Sequence, residues 1–141
     1  MKEDIIDYIT VPKDRIAVLL GKKGEVKRRI EKETGTKINV DSESGEVEIL
    51  RKTDSKDPFI NLKAMEIIRA IARGFNPQKA FKLLLPNIYT EIIDLPSYIS
   101  GKNLNRIRSR IIGRSGKARE YISRLTGTDM VIYGKTVGII G

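Results

Sequence analysis

The chain has no cysteine, no histidine and no tryptophan. Without cysteine there is no disulfide scaffold and no thiolate chemistry. Without histidine, hydrolysis would need clustered carboxylates holding Mg²⁺. The C-terminal part supplies only Glu91, Asp94, Glu120 and Asp129, and the acids of the first half mostly sit beside lysines, as surface pairs do. No catalysis, cofactor or metal is therefore expected. No apolar run approaches the roughly 18 residues of a membrane span, and the N-terminus lacks the apolar core of a signal peptide. A cytoplasmic protein without membrane contact is the expectation. An abundance of Ile, Lys, Glu and Arg beside these absences hints at a thermophile.

What the chain does have is positive charge, unevenly spread. Lys plus Arg number 27 against 18 Asp plus Glu. Residues 1–80 hold 17 basic and 14 acidic side chains, residues 81–141 hold 10 and 4. Between Gly101 and Arg124 eight basic residues face one acid, Glu120. Charges of a thermophile surface come as both signs, whereas this stretch carries one, so its natural partner is a polyanion.

A 141-residue chain is one ordinary domain or two small ones, and an internal repeat favours two. A shift of 92 positions places Gly21 on Gly113, Gly24 on Gly116, Ile30 on Ile122 and Thr34-Gly35-Thr36 on Thr126-Gly127-Thr128 without a gap. Charge repeats as well: Lys22 with Arg114, Lys27 with Arg119, Lys32 with Arg124. Twelve glycines alone predict about one Gly-x-x-Gly by accident, and Gly138-Ile139-Ile140-Gly141, inside an apolar strand-like run, is such a decoy. The matching flanks separate the other two from chance. Modules of roughly 60–75 residues have small cores, so they are expected to pack on each other.

Ile5 to Val11 is β-branched and aromatic in bias and reads as a strand ended by Pro12. Lys13 to Leu20 and Glu25 to Glu33 are short helices flanking the first glycine turn, with Gly35 as C-cap. Lys37 to Asp41 and Glu46 to Arg51 form a hairpin. Asp57-Pro58 starts a long amphipathic helix ending near Gly74. Asn76-Pro77 starts a shorter one reaching about Leu85, too apolar for a flexible linker. The second copy has a strand at Glu91 to Leu95, a loop through Ser97 to Lys102, helices at Asn103 to Ile112 and Lys117 to Thr126, and a hairpin of Met130 to Tyr133 with Thr136 to Ile140. The expected organisation is a first module over 1–75, a helical connection over 76–89 and a second module over 90–141. A counterpart of the long helix is missing from the second copy: either the sequence is shortened there or another element, Pro77 to Leu85 for one, covers that face of its sheet.

The order strand, helix, Gly-x-x-Gly, helix, strand, strand, helix resembles the type I KH domain of RNA-binding proteins. It implies an α+β fold of two tandem domains, each a three-stranded antiparallel sheet with helices on one face, the second lacking its C-terminal helix. On its own terms, a glycine turn lets a sugar-phosphate backbone approach the peptide, and the next helix offers its N-terminal N–H groups to phosphate. KH domains clamp about four nucleotides this way, with unstacked bases in an apolar groove. The implied RNA-binding residues are Gly21, Lys22, Lys23, Gly24, Lys27 and Arg28 in the first module. In the second they are Arg110, Gly113, Arg114, Ser115, Gly116, Lys117 and Arg119. Groove walls are expected from Leu19, Leu20, Val26, Ile38 and Val40, and from Ile111, Ile112, Ala118, Val131 and Tyr133 or their neighbours, most of which belong to the core. KH domains in general carry an aliphatic residue where Lys27 and Arg119 stand. Those basic residues, with Arg110 to Arg119, make the chain look like the archaeal two-KH protein related to the eukaryotic partner of Nob-one, a ribosome biogenesis factor. That resemblance implies binding to the 3′ end of small-subunit ribosomal RNA. It also implies association with the Nob-one endonuclease and with the alpha subunit of translation initiation factor two.

Rival readings are weaker. The Walker pattern needs a glycine five positions before Gly-Lys, where Ile16, Ile111 and Pro96 stand. A helix-turn-helix reader would prefer duplex DNA to single strands. A protein-interaction adapter with one working RNA module remains the alternative, since Glu25, Glu31 and Glu33 dilute the lysines of the first copy.

Overall fold

The computed structural model describes residues 4–141. The first module runs β1 (Asp4–Thr10), α1 (Lys13–Leu20), a 3₁₀ turn (Lys22–Gly24), α2 (Glu25–Thr34), β2 (Thr36–Val40), β3 (Glu46–Arg51) and α3 (Pro58–Ala72). A connection of α4 (Pro77–Ala80) and a 3₁₀ turn (Phe81–Leu84) follows. The second module is β4 (Thr90–Asp94), α5 (Gly101–Ile112), a 3₁₀ turn (Arg114–Gly116), α6 (Lys117–Thr126), β5 (Asp129–Tyr133) and β6 (Thr136–Ile140). Each sheet has three strands, ordered β1-β3-β2 and β4-β6-β5, with every pair antiparallel. The alternation Arg106 to Ile111 is helical, as the repeat requires, and α5 begins at Gly101, two residues before its expected start.

The first module has a dry core between sheet and helices. Leu19, Ile30, Ile38, Val47, Ile49, Ile67, Ile68 and Ile71 are all at most 1% exposed. α3 is fixed at its start by polar groups. Asp57 caps its start, its Oδ1 accepting from the N–H of Phe59 at 3.0 Å and of Ile60 at 3.2 Å, a cap worth about 1 kcal/mol. Asn61 donates its amide to the carbonyl of Thr34 at 2.6 Å and to Ser55 Oγ at 2.8 Å, tying α3 to the turn that ends α2.

The second module lacks such a layer: neither α5 nor α6 has a buried residue, and Tyr121 and Leu125 are 60% and 68% exposed. The connection does not supply the cover. Phe81 and Leu83 are buried in contact with α3, and Arg29 of α2 stacks its guanidinium 4.0 Å from the Phe81 ring. That segment belongs to the first module's surface, because its apolar side chains complete a core already there. Its helical pattern tightens to a 3₁₀ turn and stops at Leu85, which is extended as a residue before proline must be.

Instead, the second sheet is held through its other face. Gly138 pairs with Val131 and Ile92, and these three share one face. Phe75, just past α3 and 2% exposed, fills the dimple at Gly138, where a Cβ would stand 2.7 Å from its ring. Ile140 joins the first module's core. Around this contact, Arg15 donates to the carbonyls of Ile71 and Phe75 at 2.8 Å each, and Arg73 donates to Thr136 Oγ1 and to the carbonyl of Tyr133. The Tyr133 ring lies beneath both guanidiniums, at 5.9 and 4.9 Å, and its hydroxyl donates to Asp14 at 2.6 Å. Tyr133 is thus a rivet between modules rather than a groove wall.

Desolvation first, and then the Asp14 carboxylate, hold the Tyr133 phenol above its ordinary value of 10.0. A raised pKa means that the rivet is intact below 10 and is lost as pH rises past it. Tyr8 is also held above that value, by desolvation and then by Glu48, so alkaline titration followed by tyrosine absorbance should show two tyrosines titrating late, of which Tyr133→Phe keeps one. Gly138→Ala should drive Phe75 from its seat and cost roughly 1–3 kcal/mol. Thermal denaturation reads this as a lower Tm, and an unchanged Tm would refute the packing.

Candidate nucleic-acid interface

The two glycine turns have the same backbone. Gly21 and Gly113 sit at φ/ψ of 72/177° and 78/174°, a region essentially confined to glycine. The third residues, Lys23 (55/27°) and Ser115 (54/29°), are left-handed although they carry side chains. Gly24 and Gly116 follow at 74/17° and 76/11°. The first glycine is also required sterically: a Cβ at Gly21 would lie 2.4 Å from Val26 Cγ2, and one at Gly113 2.6 Å from the Ala118 Cβ. The turn brings the start of the second helix against the end of the first, and only a residue without a side chain fits between.

Beyond each turn a helix begins on glycine with no side-chain cap. The first N–H, of Glu25 or Lys117, turns back to the carbonyl of Lys22 or Arg114, while no side chain caps the rest of the first turn, and the dipole adds positive potential. Basic side chains crowd the same end. Arg28 reaches over Gly24, and Arg119 over Gly116. Among the described residues no acid pairs with Lys22, Lys23, Arg28, Arg114, Lys117 or Arg119; the ion pairs there are Lys27–Glu31 and Arg124–Glu120. An uncapped helix start ringed by free cations is a phosphate site.

The modules differ in the groove beside the turn. In the first, Lys27 Nζ lies 3.2 Å from Glu31 Oε1, and Glu31 Oε2 accepts the N–H of Ile38 at 2.9 Å. β2 is an edge strand, and Ile38 faces Ile49 at a position where its N–H points out of the sheet. Glu31 thus bridges helix to strand and closes the groove. Leu19 and Ile38, expected as walls, are buried core, and Leu20, Val26 and Val40 are half-buried.

The second module has no such bridge. The counterparts of Lys27, Glu31 and Ile38 are Arg119, Ser123 and Met130, and no hydrogen bond joins them. Met130 faces Ile139 on the edge strand β5, with its N–H directed outward. Here a cleft of about 410 Å³ opens. Ser115, Gly116, Arg119 and Ser123 line it from the turn and α6, and β5 forms its floor. Of the expected site residues, Ser115, Gly116 and Arg119 converge on it. Arg110 lines a separate hollow of about 370 Å³ with Tyr98, Ile99 and Ile107. Sequence reasoning missed Ser123 and Met130; the 92-residue shift, read against Glu31 and Ile38, holds the signal for both.

Glu31→Ser should open the first groove. The Ile38 amide loses its acceptor, and its hydrogen exchange should speed up several-fold while core amides such as Ile49 keep their protection. Unchanged protection at Ile38 would show that the bridge does not persist in solution.

Comparison with known proteins agrees with this geometry. Residues 6–59 match the family model described as KH domain, and residues 89–141 match that described as eukaryotic type KH-domain (KH-domain type I). A KH domain-containing protein of Methanocaldococcus jannaschii is 47% identical over 137 residues, which cover 96% of this chain and 60% of that one. The pre-rRNA-processing protein pno1 of Schizosaccharomyces pombe is 28% identical over 107 residues, 74% of this chain and 44% of its own. The chain thus spans about half the length of these curated relatives. The structure of the a/eIF2alpha-aDim2p-rRNA complex from Pyrococcus horikoshii holds a chain that matches with a TM-score of 0.89 and 51% identity, over 96% of this chain and 75% of that one.

Proposed function

The chain belongs to the KH family, in the branch of the Pno1 and Dim2p ribosome biogenesis proteins, and from that premise we propose that it binds single-stranded ribosomal RNA through its two glycine turns. One observation carries this reading: both turns share a backbone found only where glycine allows it, each opening an uncapped helix among unpaired cations. The RNA backbone lies along the turn, its phosphates on the first-turn N–H groups and on Lys22, Lys23, Arg114 and Lys117. Bases turn toward the edge strand. The role is that of a binding factor rather than a catalyst.

The target that fits best is the 3′ end of small-subunit rRNA, met in the cytoplasm during ribosome assembly or initiation. A complex of an aDim2p chain half identical to this one with rRNA and a/eIF2alpha supports the RNA partner and favours the alpha subunit of initiation factor two as a protein partner. The Nob-one endonuclease is the partner suggested by the family alone. A second reading, in which the second module carries most of the RNA affinity and the first serves more as an adapter, is favoured by the Glu31 bridge.

Arg114→Asp with Ser115→Asp should lower affinity for single-stranded RNA at least tenfold, since about two charges of the wrong sign face phosphate. Aspartate tolerates the left-handed conformation of Ser115, so the fold should persist. The same pair at Lys22 and Lys23 should do less. Anisotropy titration at fixed salt reads both, and equal binding by parent and Arg114/Ser115 variant would reject the assignment. Duplex DNA as competitor should displace little.

A further inference from the structure

The cleft of the second module is not built by that module alone. Its wall opposite α6 is made by Gly74 and Phe75 from the end of the first module and by Asn76 and Lys79 from the connection packed on that module. We propose that this wall is part of the RNA site: Asn76 and Lys79 contact the strand lying in the second module's groove, so that one binding site is shared between two domains. The proposal rests on the RNA-binding reading above and adds residues outside both glycine turns.

Three observations support it. The wall is held in place before any ligand arrives. Phe75 is seated at Gly138, its carbonyl accepts from Arg15 at 2.8 Å, and Arg73 is bonded to β6 through Thr136. A ligand therefore meets a formed surface, without the ordering cost of a loose linker. Secondly, the exposed polar groups on the wall are donors suited to RNA. Asn76 uses its Oδ1 to accept the Lys79 N–H at 2.8 Å, which leaves its amide hydrogens for a base edge or a phosphate. Thirdly, Lys79 is held loosely. Asp129 on β5 lies 2.7 Å from Lys82 Nζ but 3.7 Å from Lys79 Nζ. Lys82 alone can keep the aspartate neutralised while Lys79 swings to a phosphate. The acids on the cleft are Asp129, so held, and Glu120, which pairs with Arg124 at 3.9 Å. Arg119, which has no acid partner, and Lys79, loosely paired with Asp129, both line the trough.

The spacing agrees with how a single strand is bound. Phosphates follow the turn and α6, bases point across β5, and the wall meets the base edges or the next phosphate along. The groove of the first module is bridged by Glu31 instead.

Two variants test this without disturbing the fold. Lys79→Gln removes the charge and leaves Asp129 to Lys82. Asn76→Asp keeps the acceptor that caps α4 but removes the amide hydrogens and adds a negative charge. Each is titrated by anisotropy against a labelled single-stranded RNA carrying the 3′ end of archaeal 16S rRNA, with Lys56→Gln as the control for net charge. The expected result is a loss of about three- to tenfold for Lys79→Gln, the size of one ordinary net hydrogen bond, since the side chain is exposed. The slope of log affinity against log salt should fall by about 0.7. Asn76→Asp should lose at least as much, and the control almost nothing. If both variants bind like the parent while the Arg114/Ser115 variant fails, the shared wall is wrong and the groove stands. If the Arg114/Ser115 variant also binds normally, the RNA site itself is misplaced. A loss in Lys56→Gln equal to that in Lys79→Gln overturns the wall as well, since net charge alone would then explain it.

Discussion

The close approach of two helices at a point where no side chain can stand is the constraint from which the rest follows. Val26 occupies the space of a Cβ at Gly21, and Ala118 that of one at Gly113. The backbone must then enter a region closed to other residues and pass through two left-handed positions before the next helix begins. That path leaves the new helix without a capping side chain, because glycine occupies the cap. The unmet N–H groups follow from the packing, and a phosphate site follows from the N–H groups.

The same turn used twice has two different neighbourhoods, and one substitution accounts for most of the difference. Glu31 fills the space between helix and edge strand in the first module, neutralising Lys27 and satisfying Ile38. Its counterpart Ser123 is too short to cross, so Arg119 keeps its charge and Met130 its free N–H. A carboxylate at the margin of a phosphate site also repels the ligand. The balance of charge along the sequence, near neutral in the first half and basic in the second, has the same direction.

Much of this was legible in the chain. The 92-residue shift located both turns, and Asp57-Pro58, Gly35 and Gly127 marked helix ends that the structure has where local chemistry puts them. The two-domain α+β architecture followed from that order. Less legible was anything that depends on which surfaces meet. Tyr133 reads as one more aromatic on a strand; only its position between Arg15 and Arg73, more than fifty residues away in sequence, makes it a rivet. Gly138 looked like part of a decoy motif, and its real use is the absence of a side chain beneath Phe75. Pro77 to Leu85 was apolar enough to cover either module, and periodicity does not say which core it completes.

These long-range contacts also hold the second module against the first. A helix pair with no buried side chain contributes little hydrophobic stabilisation, and a three-stranded sheet needs an apolar face packed on something. In the second module the packed face is the one turned to Phe75, with Ile140 inside the first module's core. Part of its core therefore lies in its neighbour, and its orientation is fixed by the same side chains that hold it folded. Two separately stable domains on a flexible tether would sample many relative positions of their turns. A domain docked through Phe75, Ile140 and Tyr133 is confined to one, and the distance between the two glycine turns becomes a property of the fold. A strand engaging both turns would then meet a fixed span, which a tethered pair of domains does not offer.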